Sequence, residues 1–275
     1  MTAAVSAPPA PRPSTARRVL PLVLAAALVL TAIAYPLSSG PARDAVSWTI
    51  VVLGSLLSVV HAGAARGLRT AIGLLVLVTV TAVAFEAVGL ATGFPYGSYR
   101  YSGALGPTLL GVPFLVPLAW LMMAWPSWVL AERLARPVAG PTRRRVVRIA
   151  TAAGVFAGWD VVLDPQMVQA GYWTWSDPSP GLPGIATVPL TNLAGWLLAG
   201  LVLMALLDLT VARTQAGRAP RTGDAAPLIA LAWMTLGGAL AHAGWLGLPG
   251  SAAWGAALAL PVLLAVVRRH RGGRW

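Results

Sequence analysis

Residues 70–91 read TAIGLLVLVTVTAVAFEAVGLA, a run whose only charged residue is Glu86. At a 1.5 Å rise per residue such a run is ~33 Å long as a helix, enough to cross the ~30 Å hydrocarbon core of a bilayer. Outward from it, comparable stretches lie at 19–38, 45–64, 107–131, 146–170, 191–212, 225–246 and 252–267, the last one short and interrupted by Pro261. Composition agrees: 57% of the 275 residues are apolar, 10% are charged and mean hydropathy is +0.73. A soluble domain carries about a quarter charged residues. The expected fold is therefore an all-α polytopic membrane bundle of about eight transmembrane helices. Residues 1–16, rich in Pro, Ala and Ser, form a leader expected to be disordered, residues 17–270 one transmembrane domain, and 271–275 a short basic tail. Arg17 and Arg18 before an apolar run resemble a secretion signal, but a small-residue cleavage site is not obvious and the spans that follow favour a retained helix.

Charge patterning orients the bundle. All 20 basic residues are arginines, against eight acids. With eight spans, 18 of them fall on the side of the N-terminus, among them Arg12, Arg133, Arg143, Arg145, Arg148, Arg213, Arg218, Arg221 and Arg274. Only Arg43 and Arg100 fall on the other side. Positive charge collects on the cytoplasmic side of membrane proteins, so the expected location is the cytoplasmic membrane with both ends in the cytoplasm. These arginines sit in short runs between apolar stretches, which fits attraction to anionic lipid and excludes a nucleic-acid surface. There is no cysteine, hence no disulfide framework or thiolate metal site. The histidines and acids form no ligand pattern, so no metal is expected; phosphate-cradling glycine loops, nucleophile elbows and dinucleotide fingerprints are also missing.

Ionisable groups inside a bilayer are costly and mark functional interiors. Glu86 lies about five residues from the far end of the third stretch. Asp160 and Asp164 lie in the fifth, four residues apart and so on one helical face. All three fall in the half of the membrane away from the arginines, and His242 lies at a depth to join them. Asp164 precedes Pro165, which lacks a backbone donor and disfavours helix before it. A broken helix is expected there, with Asp164 capping a second segment. The competing reading makes Asp164 only a cap and Asp160 only a helix contact. His61, on the arginine side, reads as a helix contact. Pro113, Pro117 and Pro126 are expected to kink the fourth stretch.

The two longer connectors on the far side are aromatic. One runs Gly93-Phe94-Pro95-Tyr96-Gly97-Ser98-Tyr99-Arg100-Tyr101 and the other contains Gly171-Tyr172-Trp173-Thr174-Trp175-Ser176-Asp177. Four of the five tyrosines lie in them. Such rings can be interfacial belts; beside buried acids they also suit an apolar pocket with a polar end. Arg100 has three open roles: pairing with Asp177, pairing with an intramembrane acid, or snorkelling to the surface.

Three blocks carry a resemblance. Phe94 to Tyr101, continuing through Leu105-Gly106-Pro107 and Gly111-Val112-Pro113-Phe114-Leu115-Val116-Pro117-Leu118-Ala119-Trp120, is the first. Trp159-Asp160-Val161-Val162-Leu163-Asp164-Pro165-Gln166-Met167 with Gly171 to Trp175 is the second, and Val188-Pro189-Leu190-Thr191-Asn192-Leu193-Ala194-Gly195-Trp196 the third. Together they resemble the carotenoid-biosynthesis membrane family that includes the bisanhydrobacterioruberin and gamma-carotene hydratases. The resemblance is strong over about 85–200 and general in the flanking helices.

It implies a cofactor-free hydratase adding water across the terminal 1,2 (1',2') double bond of an acyclic carotenoid end, giving a tertiary alcohol. A linear carotenoid, water and membrane lipid are then the partners, with other enzymes of carotenoid synthesis beside them. Chemistry assigns the roles. Protonating an alkene needs a carboxyl kept neutral, which burial favours; ring faces stabilise the cation; a second carboxylate takes a proton from the attacking water. Asp160 and Asp164 are the expected catalytic pair, with Glu86 assisting, in undetermined order. Tyr96, Tyr99, Arg100, Tyr101, Trp120, Trp159, Tyr172, Trp173, Trp175, Asn192, Trp196 and His242 are the expected substrate contacts. Two other classes stay open: a secondary transporter, against which no internal repeat is visible, and a non-catalytic carotenoid or isoprenoid carrier, which needs the slot but not the acids.

Overall fold

The computed structural model describes residues 15–215 and 222–271. The leader up to residue 14 with Arg12, residues 216–221 with Arg218 and Arg221, and the segment from 272 with Arg274 lie outside the described residues. Apolar runs become helices: α1 Thr15–Ala34, α2 Gly40–Arg66, α3 Leu68–Thr92, α4 Leu115–Ala135, α5 Pro141–Gln169 and α6 Leu190–Gln215. A composite seventh consists of α7 Ala225–Ala232, a π turn at Trp233–Gly237 and α8 Gly238–Gly244. Finally α9, Pro249–Arg271, covers the eighth candidate stretch and packs on α5 and α8. Among the described residues seven helices, α1 to α6 and the composite 225–244, are long and apolar enough to cross a membrane. The chain is a membrane protein.

Helix α4 is the axis. It packs against α2, α3, α5 and α7 and carries the fully buried Trp120, Trp125 and Trp128. Peripheral helices turn apolar side chains outward instead, such as Val23 and Leu30 of α1, Val76 and Val80 of α3 and Leu240 of α8. Lipid is as apolar as these side chains, so no cost attaches to their exposure.

Two expectations about proline need correction. The fourth helix does not begin at 107: residues 107–114 form a two-stranded hairpin, β2 Thr108–Leu109 against β3 Val112–Pro113. Leu110 and Gly111 at its tip both have positive φ, the geometry of a tight primed turn. Pro113 and Pro117 therefore lie before the helix and in its first turn, and only Pro126 is deep inside it.

The fifth helix, in turn, is not broken at Pro165. It is continuous from Pro141 to Gln169, so Asp164 caps nothing. The reason is local. Proline removes the donor that would serve the carbonyl four residues back, here Val161, and that carbonyl accepts instead from Ser251 Oγ of α9 at 2.7 Å. The same device recurs in α4, where Pro126 frees the Met122 carbonyl and Ser58 Oγ of α2 donates to it at 3.3 Å. Neighbouring serines keep both helices whole inside the bundle.

The two aromatic connectors do not lie apart. Tyr99–Tyr101 (β1) pairs antiparallel with Trp173–Trp175 (β4), in the register Tyr99 with Trp175, Arg100 with Thr174 and Tyr101 with Trp173. This ribbon closes one end of the bundle, here called the loop end; the opposite end carries the arginine runs.

Candidate active site

Beneath the ribbon the three membrane acids converge. Glu86 of α3 and Asp160 and Asp164 of α5 are 4%, 1% and 2% exposed. Their partners set them apart from the acids of the arginine end, which are ion-paired. There Glu132 pairs with Arg66, Asp224 with Arg133 at 2.7 Å, and Asp208 with Arg145 at 3.0 Å and with Arg148. Among the described residues, no cation pairs with Glu86, Asp160 or Asp164. They receive neutral donors instead.

Glu86 Oε2 accepts from the hydroxyls of Tyr99 at 2.5 Å and Tyr101 at 2.7 Å. Strand alternation explains this, because Tyr99 and Tyr101 point to one face of β1 and Arg100 between them to the other. Burial first, and then the Glu86 charge, raise both phenols above the ordinary tyrosine value, so they remain donors. Asn192 of α6 places one amide nitrogen between the aspartates, 2.7 Å from Asp160 Oδ2 and 2.5 Å from Asp164 Oδ2. Trp173 Nε1 donates to the other oxygen of Asp164 at 3.1 Å, and its ring meets Tyr101 edge to face at 5.8 Å. A continuous set of contacts thus runs from Glu86 through Tyr101 and Trp173 to Asp164, Asn192 and Asp160.

Tyr96 sits among all three acids. Burial above all raises its phenol, and its hydroxyl has no partner among the described residues. The ring fits because two neighbours lack side chains. A Cβ at Gly195 would stand 2.6 Å from Tyr96 Cδ1 and 2.8 Å from the Pro95 carbonyl, and one at Gly89 would stand 2.9 Å from Tyr96 Cδ2.

These groups face a cavity of about 260 Å³ with a largely apolar wall. Glu86, Asp164, Asn192, Tyr96, Tyr99, Tyr101, Tyr172, Trp173 and Trp175 line it, with Trp120, Trp159 and Trp196. Trp196 is the hub of the deep wall, 5.2 Å from both Trp120 and Phe156 and 6.4 Å from Trp159.

Three expected site residues are placed differently. Arg100 is exposed on the outer face of the ribbon and does not line the cavity, because its strand alternates. Nor does His242 join the acids. It is buried against Ser251, 2.8 Å from Nδ1, and Gln166, 2.9 Å from Nε2, behind the cavity wall. Asp160 stands one step back as well; it lines a separate hollow of about 10 Å³ with Pro165, Leu182 and Val188, and its Oδ1 has no partner among the described residues.

Other contributors had no signal in the sequence. Asp44 at the start of α2 accepts from the Tyr172 hydroxyl, tying the α1–α2 corner to the second aromatic connector. Tyr35, Pro36 and Leu37 after α1, and Trp233 and Met234 of the π turn, complete the wall. Only the placement of the helices brings them there. His61 is a helix contact as expected, accepting from Trp125 Nε1 at 3.0 Å. Among the described residues no group of histidines and acids is placed to hold a metal ion.

A bisanhydrobacterioruberin hydratase from Haloarcula japonica is 38% identical over 136 residues, 49% of this chain and 43% of the relative. The match thus spans less than half the length of that relative. No solved structure matches. The sequence pattern of the family described as carotenoid biosynthesis protein matches residues 46–264, which includes Glu86, Asp160, Asp164 and both aromatic connectors, and the chain belongs to that family.

Proposed function

We propose that this protein is a hydratase that adds water across the terminal carbon–carbon double bond of an acyclic carotenoid end, giving a tertiary alcohol. The observation that carries the reading is the pairing of chemistry and wall: buried carboxyls without counter-cations, served by neutral donors, at one end of an aromatic cavity. Carotenoid biosynthesis as the family and a hydratase among the relatives support it.

The geometry supports the following steps. Two carboxyls bridged by one amide nitrogen are a site for a shared proton, and Asp164 is the member of the pair at the cavity wall. It gives that proton to the less substituted alkene carbon. The tertiary cation left at the neighbouring carbon lies against the faces of Trp159, Trp196 and Trp120. Water held by the free hydroxyl of Tyr96 bonds to that carbon, and Glu86, on the α3 side of the cavity, takes the proton the water releases. Asp160 positions Asp164 through Asn192 rather than touching the substrate, and the proton gained by Glu86 returns to Asp164 through water in the cavity that both line, which resets the site. The balance is one water consumed, with no electron transferred, so no redox cofactor is required.

The arginine asymmetry supports a cytoplasmic-membrane orientation with the loop end outside. A polyene about as long as the hydrocarbon core is thick would then reach the site with its end near the interface, where water is available.

The test uses purified protein in detergent with an acyclic-ended carotenoid under anaerobic conditions, without nucleotide or flavin. In heavy-oxygen water the new hydroxyl is expected to carry the solvent oxygen, and in deuterated water the adjacent carbon should gain one deuterium. A hydroxylase takes oxygen from dioxygen and needs reductant; an unlabelled hydroxyl, or product only in air, would overturn the reading. Selective polyene binding without any product would leave a carrier.

A further inference from the structure

We propose that the cavity opens sideways into the bilayer through a slot between α1 and α8, and that a linear isoprenoid chain threads through it end first. The idea rests on the reading of the cavity as the place where a carotenoid end reacts. Four wall residues are also exposed on the outside of the bundle: Ile33 at 44% and Leu37 at 68% at the end of α1, and Leu240 at 60% and Trp245 at 59% at the end of α8. Being both wall and surface, they form a rim. All four are apolar, so the rim faces lipid without a desolvation cost and offers nothing to a water-soluble ligand.

The helices explain why a gap lies there. Helix α1 packs along α2 and on α7, the arginine-end half of the composite helix. Between α7 and α8 comes the π turn, whose extra residue per turn shifts the following segment. Trp233, Met234 and Gly237 of that turn lie in the cavity wall, as does Gly238 at the start of α8. Gly238 lets α8 lean onto α5, since a Cβ there would stand 2.8 Å from Val162 Cγ1. The composite helix therefore follows α1 along its first half and is drawn toward α5 along its second.

Volume gives the slot its occupant. About 260 Å³ is below the ~300–1,000 Å³ of sites that enclose a whole drug-sized ligand, so a carotenoid of roughly bilayer length cannot be enclosed. Only an end fits. The ribbon of Tyr101 and Trp173 closes the cavity toward the loop end, and the Trp120, Trp196 and Phe156 cluster closes it toward the arginine end. The shaft must leave through the rim.

The chain contains no cysteine, so single thiols are clean handles. Leu37→Cys, Leu240→Cys and, on the lipid face of α3, Val76→Cys are each reacted with pyrene maleimide in vesicles, and product is compared with and without label for each variant. Labelling at 37 and 240 is expected to cut hydration at least tenfold, and labelling at 76 to leave it unchanged. An acyclic carotenoid should also quench pyrene at 37 and 240 more strongly than at 76. If labelled 37 and 240 turn over like their unlabelled forms, or quench no more than 76, the slot is not the route. Selective quenching with no tertiary alcohol from any form, wild type included, would uphold the slot and overturn the hydratase reading instead.

Discussion

Among the residues, Asp160 and Asp164 look equivalent in the sequence and are not equivalent in space. Asp164 lines the cavity and accepts two hydrogen bonds, from Trp173 and Asn192. Asp160 shares the Asn192 amide, but its second oxygen is unpaired among the described residues, and a different hollow adjoins it. General acid–base groups contribute about 10²–10⁴-fold to rate. Asp164→Asn is therefore expected to lower kcat by that factor while the protein still inserts and binds polyene. Asp160→Asn should lose less, keep KM, and displace the pH profile of kcat, because it alters the proton partner and not the contact with substrate. Matched protein levels and a kcat-against-KM comparison over pH decide the matter. The division of roles would be wrong if Asp160→Asn were the more damaging change, or if it moved only KM. What the sequence could show here was the face shared at a spacing of four. The donor counts that separate the two carboxyls come from α6 and from the ribbon, and no local pattern announces either.

At the level of the elements, prolines mark the limit of local reading. Pro165 lacks a donor wherever it sits, so the sequence correctly flags an unserved carbonyl at Val161. A break was the expectation because proline lacks that donor and disfavours helix at the residue before it. Ser251, ninety residues on, supplies it, and the helix continues. The legible part was the need, and the illegible part was the partner. Likewise the aromatic connectors were visible as composition, whereas their pairing as β1 and β4, which turns Tyr99 and Tyr101 inward and Arg100 outward, depends on two segments meeting across the bundle. The proline account has a test. Ser251→Ala leaves the Val161 carbonyl unserved, which should cost about 1–3 kcal/mol for a buried unpaired group. Adding Pro165→Ala restores a backbone N–H four residues on and should recover part of that loss, even though Pro165→Ala alone gains little. Thermal unfolding of the four proteins in one detergent completes the cycle. If the double variant is no more stable than Ser251→Ala, the serine acts through His242 and not through the carbonyl.

For the whole molecule, the sequence was most informative, because bilayer thickness and charge asymmetry are global constraints that single runs report directly. The helices sit over the eight apolar stretches, with the fourth starting later than expected. Glu86, Asp160 and Asp164 converge at the end away from the arginines, at the depth their positions in the sequence implied. The cavity mouth and the wall residues of α1 and the π turn were not legible, since they depend on how helices splay. Orientation is the remaining global quantity. The arginine end holds Arg133, Arg136, Arg143, Arg144, Arg145 and Arg148 around a single turn, while the loop end holds Arg43 and Arg100. Short basic loops stay in the cytoplasm, so the loop end should face out. Ala104 and Ser179 are exposed at the loop end and Thr142 is exposed at the arginine end, and a cysteine at each would be the chain's only thiol. In intact cells an impermeant maleimide is expected to label Ala104→Cys and Ser179→Cys and to spare Thr142→Cys until the membrane is opened. The opposite pattern would place the carboxyl cluster at the cytoplasmic face, and water and carotenoid would then meet on the inner side of the membrane.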